Sequence, residues 1–125
     1  MSEKKTDCCN GAVSLIFPCS GASNTGEICD RAARLLSKEG AGKMFCLAGI
    51  GGRIESFINA TREADKVLVL DGCQQECARK TMEEAGIGKF EHIQITDIGL
   101  TKGKSPVNEE NIRLVAEKGK ALLNG

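Results

Sequence analysis

The sequence predicts an α/β fold: a single-domain parallel β-sheet of about four strands with helices on both faces. Short apolar runs alternate four times with longer stretches whose apolar residues recur every three or four positions. One run, residues 67–70 (VLVL), is apolar throughout, as expected of a central strand covered on both faces. A length of 125 residues fits one domain.

The four apolar runs are the predicted strands: residues 13–17, 43–48, 67–70 and 92–96. Pro18 ends the first strand because proline cannot donate to a strand ladder. In the fourth, Ile93 and Ile95 alternate with polar residues, which is typical of an edge strand. We expect the strand order 2-1-3-4, as in flavodoxin-like sheets, and a Rossmann-like order, 3-2-1-4, is the alternative.

Four helices are predicted between and after these strands: residues 25–39, 52–64, 73–85 and the stretch from about residue 108. The first begins with Asn24 and Glu27 at the spacing of a capping box and stops at Gly40. The third stops at Gly86. Apolar residues at helical spacing give the other inner faces: Ile54, Phe57 and Ile58 in the second helix, and Ile112, Val115, Ala116 and Leu122 in the last.

Composition argues against several classes of partner. The 17 Lys and Arg residues balance 17 Asp and Glu, so neither a nucleic-acid footprint nor a polybasic membrane patch is indicated. Residues 1–10 are polar and predict a flexible arm ahead of a single domain at 11–125. No run approaches the roughly 18 apolar residues of a membrane span. We therefore expect a cytoplasmic protein that binds neither nucleic acid nor membrane. The sequence does not identify a protein partner.

Seven cysteines are many for such a chain, and in a reducing compartment clustered cysteines more often bind metal or do redox chemistry than form disulfides. Carboxyl ends of parallel strands share one edge, and four cysteines follow predicted strands there: Cys19, Cys46, Cys73 and Cys77. Cys73 and Cys77 would share a helix face about 6 Å apart. Cys19 and Cys73 would face each other across the crevice between strands one and three. Four converging thiols suit a tetrahedral soft metal ion such as zinc.

The C-x3-C spacing of Cys73 and Cys77 is not a zinc-knuckle spacing, so other hypotheses stay open. A thiol redox enzyme, or one that handles sulfur or selenium, would use Cys19 and Cys73, with Cys77 as the resolving thiol. An iron–sulfur cluster would use the same thiols. The remaining cysteines are interpreted as structural or incidental: Cys29 in the core, and Cys8 and Cys9 on the polar arm.

The loop after the first strand predicts an anion site at a helix N-terminus. Its small and polar residues are Ser20, Gly21, Ser23, Asn24, Thr25 and Gly26. Phosphate chemistry is disfavoured, because Glu27 replaces the lysine of a Walker A motif. Thr25 likewise stands where cysteine phosphatases and arsenate reductases need arginine.

Other residues near the same edge have predicted supporting roles. Asp71 is placed to cap the third helix, and Arg53, Lys102 and Lys104 are placed to offset thiolate charge. Glycines of the stretch 49–52 are expected to let the chain turn past the site. His92, at the start of the fourth strand, is expected at the opposite edge and not as a ligand.

Five segments together resemble the DGC-domain family of zinc-binding proteins: PCSGASNTGEI, RAARLL, FCLAGIGG, VLVLDGCQQEC and TDIGLTKG. The family takes its name from the triplet that is Asp71-Gly72-Cys73 here, and the resemblance spans roughly residues 13–103. It implies a small prokaryotic protein with four chelating cysteines, which match Cys19, Cys46, Cys73 and Cys77. The resemblance implies a bound metal ion but does not identify a reaction.

Overall fold

The structure, a computed structural model, describes residues 12–125. The strands are β1 Ser14–Pro18, β2 Lys43–Met44, β3 Lys66–Asp71 and β4 Glu91–Gln94. The helices are α1 Asn24–Lys38, α2 Leu47–Gly51, α3 Glu55–Glu63, α4 Cys77–Glu84 and α5 Glu109–Asn124, and a 3-10 turn spans Ile95–Ile98. All strand pairs are parallel and the order is β2-β1-β3-β4. The predicted fold class and strand order are confirmed, whereas the predicted arm at 1–10 lies outside the described residues.

Both faces of the sheet are covered, and β3 shows why its sequence is apolar throughout. Successive side chains of a strand point to opposite faces. Leu68 and Leu70 therefore pack with α1 and α5 on one side. Val67 and Val69 pack with α2, α3 and α4 on the other. This central position places the carboxyl end of β3 next to the end of β1.

The segment after β1 and α1 differs from the prediction. The strand predicted at 43–48 ends at Met44, and the helix predicted at 52–64 is divided into α2 and α3. Phe45 lies beyond the strand but keeps a hydrogen bond from its amide to the carbonyl of Ile16 at 2.8 Å. Its ring packs between those of Phe17 and Phe57, with centroids 5.7 and 5.2 Å away. Arg53, in the left-handed region at φ 61°, separates the two helices. The glycines at 49–51 thus lie in a short helix, where Gly49 makes room for the Phe57 ring.

Two further boundaries differ. The helix predicted from residue 73 begins at Cys77, because Glu76 takes a left-handed conformation at φ 53° and residues 72–75 form a turn. Cys73 and Cys77 therefore do not share a helix face, and that prediction was wrong. The strand predicted at 92–96 runs from Glu91 to Gln94, since the chain tightens into the 3-10 turn at Ile95.

Within residues 12–125, no helix combines the length and the apolar character needed to cross a bilayer.

Candidate functional site

Cys19 lies at the crevice between β1 and β3. Its amide donates to the carbonyl of Leu70 at 2.8 Å, which ties the loop after β1 to the end of β3. The Cys29 thiol and the amides of Gly21 and Gly72, as hydrogen-bond donors to its sulfur, lower the pKa of Cys19. The Cys29 hydrogen bond is the largest cause that lowers the pKa of Cys19, to about 6, against the opposing effect of burial. The lowered pKa of Cys19 favours its thiolate form.

Cys29 is the functional neighbour that the sequence reasoning missed. Its predicted burial is confirmed, since it is 0% exposed on α1, but it also interacts with Cys19 in setting the pKa of both thiols. That hydrogen bond and burial raise the pKa of Cys29 above its ordinary value, so Cys29 keeps its proton. The sequence contained a sign of this position, because Cys29 lies three residues after Gly26 and therefore shares the helix face that turns toward the loop after β1.

Three glycines let the loops of β1 and β3 touch at this point. A Cβ on Gly26 would lie 2.5 Å from the carbonyl oxygen of Gly21. A Cβ on Gly72 would lie 2.8 Å from the amide nitrogen of Gly26. Real Cβ atoms do not approach backbone this closely, so any larger residue would separate the turn before Cys73 from the loop after Cys19.

Asp71 supports the turn that carries Cys73. It is 1% exposed, and its carboxylate accepts hydrogen bonds from the amides of Ala78 at 2.8 Å and Arg79 at 3.0 Å. The predicted capping role of Asp71 is confirmed. His92 places its Nε2 2.9 Å from the same carboxylate, so its predicted position at the opposite edge was wrong. The reason is register: His92 pairs with Val69, two residues before Asp71, and its side chain points along the strand to the carboxyl end.

Cys73 has a positively charged neighbour. The Nζ of Lys102 lies 3.7 Å from its sulfur and donates to it. The loop that carries Lys102 is held by Asn24, whose Nδ2 donates to the carbonyls of Thr101 at 3.1 Å and Ser105 at 2.7 Å. Its Oδ1 accepts from the amide of Gly103 at 2.6 Å. The start of α1 thus positions the Lys102 loop.

Arg53 does not face the thiols. Its guanidinium donates to the carbonyl of Glu84 at 3.1 Å and joins the end of α2 to the end of α4.

The polar residues of the loop after β1 have partners within the fold. Ser23 caps α1 by accepting from the amide of Gly26 at 3.1 Å, and its hydroxyl lies 3.2 Å from that of the buried Thr25. Ser20, in the left-handed region, donates its hydroxyl to Asp30 at 2.8 Å. These polar groups therefore bind within the fold, and binding of an external anion stays a prediction.

Cys46 and Cys77 are both exposed. Cys46 precedes α2 and lines a cavity of about 490 Å³ together with Cys19. Thr81, one turn after Cys77, lines the same cavity. No group of three or more His, Cys, Asp or Glu side chains within residues 12–125 lies close enough to hold a metal ion. Cys8 and Cys9 lie outside the described residues, and the four-cysteine ligand set stays a prediction.

Comparison with known proteins gives the family. A family model described as DGC domain matches residues 15–118. The chain belongs to the DGC-domain family. The signature triplet of that family is the Asp71-Gly72-Cys73 turn, in which the cap of α4, the close approach to α1 and a thiol follow one another.

A relative of the DGC-domain chain is the "Anaerobic and virulence modulator AnvM" of Pseudomonas aeruginosa. It is 27% identical over 113 residues, which cover 89% of this chain and 86% of that protein. No solved structure matches the chain.

Proposed function

We infer that this DGC-domain protein binds a zinc ion through the thiolates of Cys19, Cys46, Cys73 and Cys77. The observation that carries the proposal is the position of Cys19, whose amide binds the carbonyl of Leu70 at 2.8 Å at the point where the loops of β1 and β3 meet. Metal ligation requires the deprotonated thiol, and the lowered pKa of Cys19 favours that form.

The donor chemistry suits zinc. Thiolates are soft ligands that hold zinc at about 2.3 Å in tetrahedral sites. A four-thiolate site carries a net charge near −2, and Lys102 beside Cys73 offsets part of that charge. Because four protein ligands leave no position for water, the site would serve a structural, storage or transfer role and not hydrolysis.

Within residues 12–125 the four thiols are not gathered into one cluster. Cys19 and Cys46 line one cavity, whereas Cys73 lies beside Lys102 and Cys77 is exposed at the start of α4. A single ion therefore requires the segment around Cys46 and the turn at 73–77 to move toward Cys19. Zinc binding would then order these two segments together, and their hydrogen exchange should slow when metal is added.

Metal analysis tests the proposal. Protein purified without chelators should contain about one zinc per chain, with X-ray absorption showing sulfur neighbours near 2.3 Å. Less than half an equivalent of zinc after reconstitution, or oxygen and nitrogen neighbours in place of sulfur, would contradict it. A coloured preparation that contains iron and inorganic sulfide would indicate an iron–sulfur cluster, instead of zinc, held by the same four cysteines.

Matched cysteine variants test the choice of ligands. Cys19→Ser and Cys73→Ser should each lower zinc affinity at least tenfold, because a hydroxyl is a poor substitute for a thiolate. The double variant Cys8→Ser/Cys9→Ser removes two thiols of the same chain and should keep full zinc content. Loss of zinc in the double variant would show that the ligand set is wrong.

Thiol chemistry at Cys19 and Cys73, as in a redox or sulfur- or selenium-handling enzyme, is the second candidate. The contact between Lys102 and Cys73 favours it, because the Nζ of Lys102, 3.7 Å from the sulfur, places a hydrogen-bond donor at a candidate reacting atom. In metal-free protein at neutral pH, both cysteines should then react with iodoacetamide faster than a model thiol. Equal or slower reaction at both would remove this candidate.

A further inference from the structure

Two adjoining cavities open between α1 and the end of β2. The first, of about 490 Å³, has Cys19 in its wall, and the second, of about 620 Å³, reaches the last turn of α1. The two cavities share four lining residues: Arg34, Met44, Phe45 and Cys46. They therefore form one continuous groove, which we call the α1–β2 groove.

The α1–β2 groove carries two cations whose donors are free. Arg34 and Lys38 lie one turn apart on α1 and share a helix face. Among the described residues, Asp30 is the single acidic one of the groove, and both of its oxygens are occupied: Oδ1 accepts from the hydroxyl of Ser20 and Oδ2 from the Nε of Arg34, each at 2.8 Å. Within residues 12–125, the Nη atoms of Arg34 and the Nζ of Lys38 donate to no other residue. The groove therefore offers positive donors to an external acceptor.

Met44 and Phe45 give the groove an apolar wall that the fold holds in place. Both side chains are half-buried. The amide of Met44 donates to the hydroxyl of Ser37 on α1 at 3.3 Å. The amide of Phe45 donates to the carbonyl of Ile16 at 2.8 Å, and its ring packs against that of Phe17. A ligand with an apolar body therefore meets a surface that is formed before it binds.

We propose that the α1–β2 groove binds a small organic carboxylate, with the carboxylate held by Arg34 and Lys38 and the apolar body against the wall of the groove. A guanidinium and a carboxylate match each other in two parallel hydrogen bonds. Asp30 holds the Nε of Arg34 and so orients the guanidinium, which leaves the Nη atoms for the ligand. The ammonium of Lys38 adds a second positive charge at the same end of the groove.

The position of Cys46 relates the bound carboxylate to the thiols. Cys46 is exposed and lines both cavities, so a molecule in the groove covers its side chain. For the thiol chemistry considered as the second candidate, the groove is the substrate-binding position, and that role rests on the proposed function. The binding of a carboxylate rests on Arg34 and Lys38 and requires neither zinc nor a reactive thiol.

Binding is tested in the metal-free full chain with hexanoate, which joins one carboxylate to a short apolar body. In nitrogen–proton correlation NMR spectra, hexanoate should shift the amide signals of Met44, Phe45 and Cys46 and reach saturation. Hexanamide has the same shape without the charge and should bind at least about tenfold more weakly. Shifts that never saturate, or equal binding of hexanamide, would overturn the inference. Inorganic phosphate should bind more weakly than hexanoate, and equal binding of phosphate would contradict the part of the apolar wall.

A matched pair of arginine variants tests the role of Arg34. Arg31 is exposed on the same helix, forms the same kind of ion pair, with Glu27 at 2.9 Å, and lines neither cavity of the groove. Arg34→Gln should weaken hexanoate binding at least about tenfold, because it removes the charged donors. Arg31→Gln removes the same charge and should change binding by less than about twofold. Equal losses in the two variants would show an effect of surface charge alone and would overturn the inference.

Alkylation of Cys46 supplies a second readout and separates this inference from the proposed function. With saturating hexanoate, iodoacetamide should modify Cys46 more slowly, whereas Cys77, which is also exposed but lines neither cavity, should react at an unchanged rate. Equal slowing at both cysteines, or an unchanged rate at Cys46, would place the ligand outside the groove. A protein that binds hexanoate but no zinc would keep this inference and remove the metal site, and zinc binding without hexanoate binding would do the reverse.

Discussion

Replacing Asp71 by asparagine tests whether this buried carboxylate holds the turn before α4. The carboxylate accepts two amide hydrogen bonds, at 2.8 and 3.0 Å, and lies 2.9 Å from His92. Asparagine keeps the shape but has one acceptor oxygen, and its NH2 group would face an amide that also donates. Hydrogen bonds to charged groups contribute about 1.5–3 kcal/mol each, so we expect the free energy of unfolding to fall by about 3 kcal/mol.

The measurements are urea unfolding and thermal unfolding of metal-free protein at constant pH, both followed by circular dichroism. A loss of about 3 kcal/mol should lower Tm by roughly 12 °C in a domain of this size. Asp97→Asn is the control, because Asp97 is an exposed carboxylate whose nearest donor, Gln94, is 3.5 Å away. A difference from this control below about 0.5 kcal/mol would refute the capping argument.

Three further predictions follow from the site. Alkylation of Cys19 in metal-free protein should have a midpoint near pH 6, and Cys29→Ala should raise it by removing the main stabilising hydrogen bond. Folding lowers the pKa of Cys19, so its thiolate form stabilises the folded state. This stabilisation is complete above the ordinary thiol value of 9.0 and is lost as pH falls toward 6, and unfolding measured as a function of pH checks it. Gly72→Ala places a Cβ against the backbone of Thr25 and Gly26 and should cost about 1–3 kcal/mol in thermal unfolding, whereas Gly88→Ala, with open space around it, should not. Asn24→Ala removes three hydrogen bonds and should speed exchange of the Gly103 amide, unlike Asn111→Ala, which removes the hydrogen bond to the carbonyl of Pro106 and leaves the three hydrogen bonds of Asn24 in place.

The fold could be predicted because its signals are local and repeated. An apolar run such as 67–70 needs cover on both faces, and the alternation of strands with helices restricts the sheet to parallel order. The position of Asp71 before a helix was sufficient to predict its capping role. Element ends were less predictable. β2 ends at Met44, just before Phe45, whose ring packs against those of Phe17 and Phe57. Helix α4 begins four residues later than predicted, after the left-handed Glu76.

The candidate site depended more on tertiary structure. The sequence by itself determined that thiols follow β1, β2 and β3, because a cysteine after a parallel strand must lie at the carboxyl edge. It did not determine which sulfurs meet. Only the packing of Gly26 on Gly21 and Gly72 brought the loops of β1 and β3 together, and only the register of β4 put His92 on Asp71. Contacts of this kind join residues on different elements that are separated in the sequence. The spacing of residues along the chain therefore does not predict them.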